Sequence, residues 1–178
     1  EINLCHACFA SLPSTPPPKV FEYGKIYAGF AYQSPVDELI QRFKFQEQLA
    51  FGRMLAKLCI ESIHKDKPQA LIPVPLHLKR LRQRGFNQSQ ELARYWGRQF
   101  AIPVLKNTLS RHRDTMPKST PTAQERMPNV WGAFTAQGDL PAHLALVDDV
   151  YTTGSTCLAA AEALISRGAQ RVDVWCLA

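Results

Sequence analysis

Apolar residues along the chain fall into short continuous runs and into stretches with helical spacing. Two short runs, at 70 to 75 and 144 to 147, are predicted to be strands, and the second ends abruptly in two aspartates, as a parallel strand buried on both faces of a sheet would. Val36, Ile40 and Phe43 recur instead at the three- and four-residue spacing of an amphipathic helix. The pattern therefore predicts strands that alternate with helices.

The remaining segments continue this alternation. Further strands are predicted at 25 to 32, 104 to 109 and 171 to 177, and further helices at about 48 to 63, from a cap at Asn87 to 100, and at 155 to 167. Such alternation is typical of an α/β fold with an open, mainly parallel sheet flanked by helices. Ligand sites of such sheets lie at the carboxyl ends of the strands.

The first 20 residues differ in composition from the rest. They contain Cys5-His6-Ala7-Cys8 and run into prolines that cannot continue a helix. We therefore divide the chain into a Cys-x-x-Cys segment with a proline-rich linker at 1–20 and a domain at 21–178. Cys5 and Cys8 supply half of a tetrahedral zinc site, so zinc binding needs further ligands, and an unmetallated pair is the alternative.

Composition and charge narrow the class of protein. A length of 178 residues with 46% apolar content supports one main core, and the net charge of +6 favours a phosphorylated metabolite, nucleic acid or lipid surface as partner. Five cysteines, an odd number, indicate reduced thiols and a cytoplasmic location. No apolar run reaches the roughly 18 residues of a membrane span, so we expect no membrane insertion.

The most specific motif follows the strand at 144 to 147. It consists of Asp148, Asp149, Val150, Tyr151, Thr152, Thr153, Gly154, Ser155 and Thr156. Amides at a helix start can hold a phosphate at 152 to 156, and Gly154 permits close backbone approach. Asp148 and Asp149 would repel that phosphate but can accept hydrogen bonds from sugar hydroxyls and stabilise positive charge on the ring. This predicts a ribose 5-phosphate site, against the alternative of a turn and an ordinary helix cap.

Four cations lie between the strand at 70 to 75 and the helix capped by Asn87. They are Lys79, Arg80, Arg82 and Arg84. We expect them to form a basic loop that neutralises a pyrophosphate or follows a nucleic-acid backbone. The alternative is that these side chains are only part of a solvated surface. Three aromatic residues that are near cations in the sequence could stack on the bases of single-stranded DNA: Phe86, Trp131 and Tyr151. The alternative role of each is packing in the core.

Residues 111 to 130 are long and rich in proline for a simple connection. They form either an active-site cover or a disordered segment, and a cover would be cationic through Arg111, Arg113, Lys118 and Arg126. No residue is identified as a general base, and His77 and His112 are candidates by residue type alone.

The run from Asp148 to Thr156 resembles the signature with which type I phosphoribosyltransferases bind 5-phosphoribosyl 1-pyrophosphate (PRPP). The segments at 72–77 (IPVPLH), 79–88 (KRLRQRGFNQ) and 125–134 (ERMPNVWGAF) are similar, in the same order, to one branch, the ComF/GntX family linked to natural competence. The resemblance implies a type I phosphoribosyltransferase-like (Rossmann-like) core, PRPP bound with Mg²⁺, and a hood near 111 to 129. It also implies a second cysteine pair and a basic tail, so we expect the chain to be part of a longer gene product.

Two functions follow from the residues and the resemblance together. The first is a phosphoribosyltransferase that displaces pyrophosphate from PRPP, with Asp148 and Asp149 holding the ribose and stabilising the transition state. The second is a non-catalytic competence factor that binds single-stranded DNA and a helicase-like partner, with or without PRPP. A PRPP-responsive regulator is a third alternative, but no helix-turn-helix or other sequence-reading module accompanies the core.

Overall fold

The computed structural model describes residues 4–45, 48–63, 66–112 and 132–178. The helices of these ranges are α1 (His6–Ala10), α2 (Val36–Phe45), α3 (Leu49–Leu58), α4 (Ile60–Ile63), α5 (Leu78–Arg84), α6 (Gln88–Phe100) and α7 (Ser155–Ser166). The strands are β1 (Lys19–Phe21), β2 (Gly24–Ala28), β3 (Ala70–Pro73), β4 (Leu109–Arg111), β5 (Phe134–Ala136), β6 (His143–Asp148) and β7 (Arg171–Cys176). None of the described helices is long and apolar enough to cross a membrane.

The main sheet has five strands in the order β1-β2-β7-β6-β3, and every neighbouring pair except β1 and β2 is parallel. Strand β6 lies between β7 and β3, with Leu146 opposite Val174 on one side and Ile72 on the other. The predicted fold class, an open and mainly parallel α/β sheet with a Rossmann-like core, is confirmed.

Helices cover both faces of the sheet. Because alternate side chains of a strand point to opposite sides, strand β6 contributes to two cores. Ala145 and Val147 of β6 belong to one core with residues of α2, α3 and α6, in which the rings of Trp96 and Trp175 meet edge to face. Leu144 and Leu146 belong to the other core with residues of α7. This arrangement explains why the strand at 144 to 147 is apolar at every position.

Several predicted elements differ from the structure. The expected strand at 104 to 109 is absent there: Val104 makes one isolated parallel bridge to Leu71, and β4 begins only at Leu109, where it pairs with β5 in a separate hairpin. Pro103 has no amide to donate, and Lys106 and Asn107 are exposed, so this stretch does not continue as a strand of the sheet.

Other boundaries shift as well. The helix predicted over 48 to 63 is divided into α3 and α4 around Cys59. Strand β2 ends at Ala28, although the amide of Gly29 still donates to the carbonyl of Cys176, the last residue of β7, and the amide of Phe30 donates to the carbonyl of Leu177. Strand β1, which the sequence pattern does not predict, pairs Lys19 with Ile26, so the last residues assigned to the linker belong to the sheet.

The amino-terminal edge of the sheet contains a charge network centred on Asp173. This side chain is fully buried and accepts hydrogen bonds from the amide of Lys25 (2.8 Å), from Arg171 and from His143 Nε2 (2.8 Å). Arg171 also bonds to Asp66 (2.6 Å), whose pKa is lowered by the hydrogen bonds that it accepts. The network therefore ties β2, β6 and β7 together.

Replacement of Asp173 should destabilise the fold strongly. In Asp173→Ala, Arg171 and the amide of Lys25 lose a buried partner, and we expect a loss of about 3 kcal/mol in the free energy of unfolding. Urea denaturation measures this change. Asp139→Ala, at an exposed position, is the control, and equal losses in the two variants would contradict a structural role for the network.

Candidate functional site

Strand β6 ends in the two acids of the motif at the carboxyl edge of the sheet. A cavity of about 130 Å³ adjoins them and is bordered by α2, the β3–α5 connection, α5, α6, β4 and the start of α7. Its charged lining residues are Lys44, Arg80, Arg84, Arg111, Asp148 and Asp149. Anionic and cationic side chains thus face one another at the position where ligands bind to open α/β sheets.

The carboxylate of Asp148 is held by α6 and by its own backbone turn. Its Oδ1 accepts hydrogen bonds from Ser89 Oγ (3.0 Å) and from the amide of Asp149 (2.9 Å). Its Oδ2 lies 3.9 Å from the thiol of Cys157. One oxygen is therefore fixed by two donors, whereas the other has only a weak thiol donor within the described part of the chain.

Asp149 is 9% exposed and forms an ion pair with Lys44. The Nζ atom of Lys44 lies 3.2 Å from Asp149 Oδ1, and both side chains are largely buried. Lys44 comes from α2, far from the motif in sequence, so only the packing of α2 on the sheet brings this cation to the acid pair.

The pKa of Asp148 is raised by its surroundings. Burial first, and the negative charge of Asp149 second, raise the pKa of Asp148 to about 7, while the hydrogen bonds and Lys44 act in the opposite direction. A carboxyl group in this range changes its charge near neutral pH, which is common at functional sites.

The four cations predicted to form a basic loop lie on helix α5, which corrects that prediction. His77 caps the helix by accepting from the amide of Lys79, and Gly85 ends it in the left-handed conformation with φ 76°. Arg80 and Arg84, four residues apart, line the cavity, whereas Lys79 and Arg82 are exposed. Helical spacing therefore divides the cluster into an inner and an outer pair.

The start of α6 connects α5 and α2 to the site. The side chain of Asn87 caps α6 through the amide of Ser89 and donates to the carbonyl of Val74 (3.1 Å). The buried Gln88 accepts from Arg84 (3.2 Å) and donates to the carbonyl of Lys44 (3.3 Å). These bonds fix the relative positions of an inner arginine, the lysine and the acid pair.

The predicted phosphate loop runs from the acid pair into α7. Gly154 has φ 74°, and a Cβ atom at this position would lie 2.1 Å from Tyr151 Oη, so glycine is required for both conformation and space. Thr153 and Ser155 pair their hydroxyls at 3.1 Å, and Thr156 reaches the cavity lining. The backbone of Val150 follows the acids, and the amide of Tyr151 donates to the carbonyl of Ala178 (2.7 Å).

Lys44, Gln88 and Ser89 line the cavity, although no sequence motif identified them as site residues. Gln88 and Ser89 carry one usable signal: they are polar residues in the first turn of a helix whose cap was predicted. Lys44 has none, because a lysine near the end of an amphipathic helix is ordinarily a solvated cation. Arg111, predicted as part of a cationic cover, lines the cavity.

Other candidates lie elsewhere or outside the described residues. His112 is exposed and lies 3.1 Å from the hydroxyl of Ser110, and Phe86 packs against Phe43 at a ring distance of 5.8 Å, which favours its core role. Most of the predicted hood, including Arg113, Lys118 and Arg126, falls outside the described residues, and so does Trp131, the candidate stacking platform.

Cys5 and Cys8 are exposed and lie at the start of α1, where the sulfur of Cys5 accepts from the amide of Cys8 (3.5 Å). Hydrogen bonds from Cys8 lower the pKa of Cys5. Within the described ranges, no group of three or more His, Cys, Asp or Glu side chains is placed to hold a metal ion. Zinc binding by this pair therefore stays a prediction, whereas Cys59, Cys157 and Cys176 are buried thiols as expected.

Fold and site together define a Rossmann-like α/β protein with an acid pair and facing cations at the carboxyl edge of its sheet. No protein-family model matches the chain. It is 37% identical over 158 residues to Competence protein F of Haemophilus influenzae, covering 83% of this chain and 69% of that protein. It is 30% identical to DNA utilization protein YhgH of Salmonella typhi, covering 99% and 84% of the two chains. For Competence protein ComFC of Streptococcus pneumoniae, the identity is 27%, with coverage of 83% and 65%.

These relatives show that the chain belongs to the ComF family, as the sequence motifs predicted.

The raised pKa of Asp148 gives a stability prediction with a definite sign. The folded protein holds this proton up to pH about 7, but the unfolded chain releases it near pH 4, so the group lowers stability as pH rises between these values. We therefore compare the free energy of unfolding of Asp148→Asn with that of the unmodified protein at each pH. The difference should favour the variant by about 2 kcal/mol more at pH 8 than at pH 5.

Urea denaturation of both proteins at the two pH values measures this difference. Asp139→Asn, at an exposed site, is the control for a general charge effect. An Asp148→Asn effect that is the same at pH 5 and pH 8 would show that the carboxyl group titrates normally.

Proposed function

We propose that this chain is a phosphoribosyltransferase-like protein that binds PRPP with Mg²⁺ and takes part in DNA uptake. The observation that carries the proposal is the acid pair that faces an inner arginine pair and leads directly into a phosphate-type loop. The role in DNA uptake is supported by the competence and DNA-utilization names of its relatives in the ComF family.

The charges of the cavity match the parts of such a ligand. Sugar hydroxyls are neutral donors, and carboxylates of the kind supplied by Asp148 and Asp149 accept their hydrogen bonds. Arg80 and Arg84 can bind phosphate oxygens in forked geometry from the opposite wall. The 5-phosphate would lie at the start of α7, where backbone amides and the hydroxyl of Thr156 are available. A diphosphorylated sugar uses all three features, whereas a free phosphate would not need the acids.

The acid pair also fits Mg²⁺, which prefers oxygen ligands and is usually held by one or two carboxylates together with substrate phosphates and water. Asp148 Oδ2 and Asp149 are the candidate protein ligands. Because the described residues contain no larger group of metal-binding side chains, the other ligands would come from PRPP and solvent. Bound Mg²⁺ would neutralise charge on the pyrophosphate as it leaves.

In a transfer reaction, a nitrogen acceptor forms a bond to the anomeric carbon of PRPP while the bond from that carbon to pyrophosphate breaks. Positive charge develops on the ribose ring, and the carboxylates of Asp148 and Asp149 would stabilise it. Arg80 and Arg84 would bind the departing pyrophosphate. The proton of the acceptor nitrogen passes to a base that we do not assign.

Removal of the acid pair tests PRPP binding directly. Asp148→Asn with Asp149→Asn should lower PRPP affinity by about 100-fold or more, because charge-assisted hydrogen bonds to the ribose are lost. Calorimetric titration with PRPP, with and without Mg²⁺, measures the change, and circular dichroism verifies the fold. The exposed Asp139→Asn is the matched control. Unchanged affinity in the double variant, or no binding to the unmodified protein, would refute the proposal.

A second candidate function is supported by the outer face of α5. Lys79 and Arg82 are exposed there beside Leu78, which is 63% exposed, and Leu81. Exposed cations on one side of a helix can follow the phosphates of single-stranded DNA. In this alternative the chain is a non-catalytic competence factor, which binds DNA and a helicase-like partner and has kept or lost PRPP binding.

Two double variants of the same helix separate these functions. Arg80→Gln with Arg84→Gln should weaken PRPP binding by about tenfold or more, since both side chains line the cavity. Lys79→Gln with Arg82→Gln should leave PRPP binding unchanged and lower the salt dependence of oligonucleotide binding by a slope of about 1.4. The variants carry equal charge changes and serve as each other's controls. Equal effects of both pairs on PRPP would contradict the division of α5 into two faces.

A further inference from the structure

A lysine ammonium already neutralises one of the two acids at the site. The Nζ atom of Lys44 lies 3.2 Å from Asp149 Oδ1, with 16% of the lysine side chain and 13% of the aspartate side chain exposed. Hard cations prefer carboxylate oxygens, and a divalent ion would therefore seek the same atom that the ammonium contacts. The two cations compete for Asp149.

The position of Lys44 is fixed by the fold and does not result from a mobile surface side chain. Its backbone carbonyl accepts a hydrogen bond from Gln88, which is 1% exposed. The preceding Phe43 is buried in the core and packs against Phe86. The ammonium is consequently presented to the acid pair from a packed helix end.

The charges that the described residues contribute to the cavity act in the same direction. Among these residues, four cationic side chains, those of Lys44 and three arginines, line the cavity together with two carboxylates. A divalent cation that enters alone meets the positive charge of these described side chains, and the partial exclusion of bulk water from the site strengthens their repulsion. A phosphorylated ligand reverses the balance, because its oxygens offer new partners to the ammonium and the arginines.

On the basis of the proposed function, we propose that Lys44 is an internal counter-ion for Asp149 that makes the site bind a divalent cation only together with a phosphorylated ligand. Lys44 is a positioning residue in this role: its ammonium leaves Asp149 for a phosphate oxygen as the ligand enters, and Asp149 then becomes available to the metal ion. Binding of cation and phosphate is thereby coupled, and the acids do not take up free divalent cations from solution.

Mn²⁺ is a suitable probe, since its binding is quantified by electron paramagnetic resonance. Lys44→Met removes the charge and keeps the length of the side chain, whereas Lys44→Arg retains the charge. Without any phosphate, Lys44→Met should bind Mn²⁺ about tenfold or more tightly than the unmodified protein, because one charge within a few ångströms shifts such equilibria by this order. Lys44→Arg should behave like the unmodified protein.

Lys25→Met is the matched control, because it also removes a lysine charge from an ion pair, here with Asp66 at the opposite edge of the sheet. Mn²⁺ binding by Lys44→Met that is no tighter than that of Lys25→Met would overturn the proposal. If circular dichroism shows that Lys44→Met does not fold, Lys44→Gln, which keeps a hydrogen-bond donor but no charge, carries the same prediction.

A second titration measures the coupling itself. Ribose 5-phosphate should raise the Mn²⁺ affinity of the unmodified protein by about tenfold, and by clearly less in the variant without the lysine charge. Equal enhancement in both proteins would overturn the coupling. The comparison made without phosphate does not depend on PRPP: if the unmodified protein fails to bind PRPP, the proposed function fails, while the result for Lys44 and free Mn²⁺ still stands by itself.

Discussion

Two adjacent carboxylates at the end of a strand that is covered on both faces impose the main constraint on this structure. Strand β6 is buried along Leu144 to Val147, so its chain can present charged side chains only as it leaves the sheet, at Asp148 and Asp149. Two like charges so close together need compensation. Helix α6 supplies a hydroxyl donor, the turn supplies an amide, and α2 supplies the ammonium of Lys44. The helices that pack on this face of the sheet thus also supply partners for the acid pair.

The buried carboxylates at the two edges of the sheet have different surroundings. At the amino-terminal edge, Asp173 accepts hydrogen bonds from three different residues and holds strands together. At the carboxyl edge, burial and then the negative charge of Asp149 raise the pKa of Asp148 to about 7, which makes the ionised carboxyl unfavourable in the folded protein. Unfavourable electrostatics are retained where function requires them and are offset by stability elsewhere in the fold. This contrast supports a functional assignment for one acid cluster and a structural assignment for the other.

The two candidate functions of this ComF family member use different faces of the same helix, α5. Its inner face presents Arg80 and Arg84 to the cavity, and its outer face exposes Lys79 and Arg82. A sugar diphosphate and a nucleic-acid backbone both need cations, but they need them in different places. The two faces are parts of one helix, which is tied to α6 by the hydrogen bond from Arg84 to Gln88.

Much of this protein was determined by its sequence alone. The apolar runs, the helical periodicities and the cap at Asn87 predict the main strands and helices, because burial patterns depend on local chain geometry. The run from Asp148 to Thr156 locates the candidate site for the same reason, since a strand, a loop and a helix start are contiguous in the chain. Only the tertiary structure decided that Lys44 neutralises Asp149, that Ser89 binds Asp148 and that the four cations near residue 80 divide between two faces. Contacts between distant segments depend on how helices pack on the sheet, and the residues that make them carry no local pattern that distinguishes a buried partner from an ordinary surface side chain.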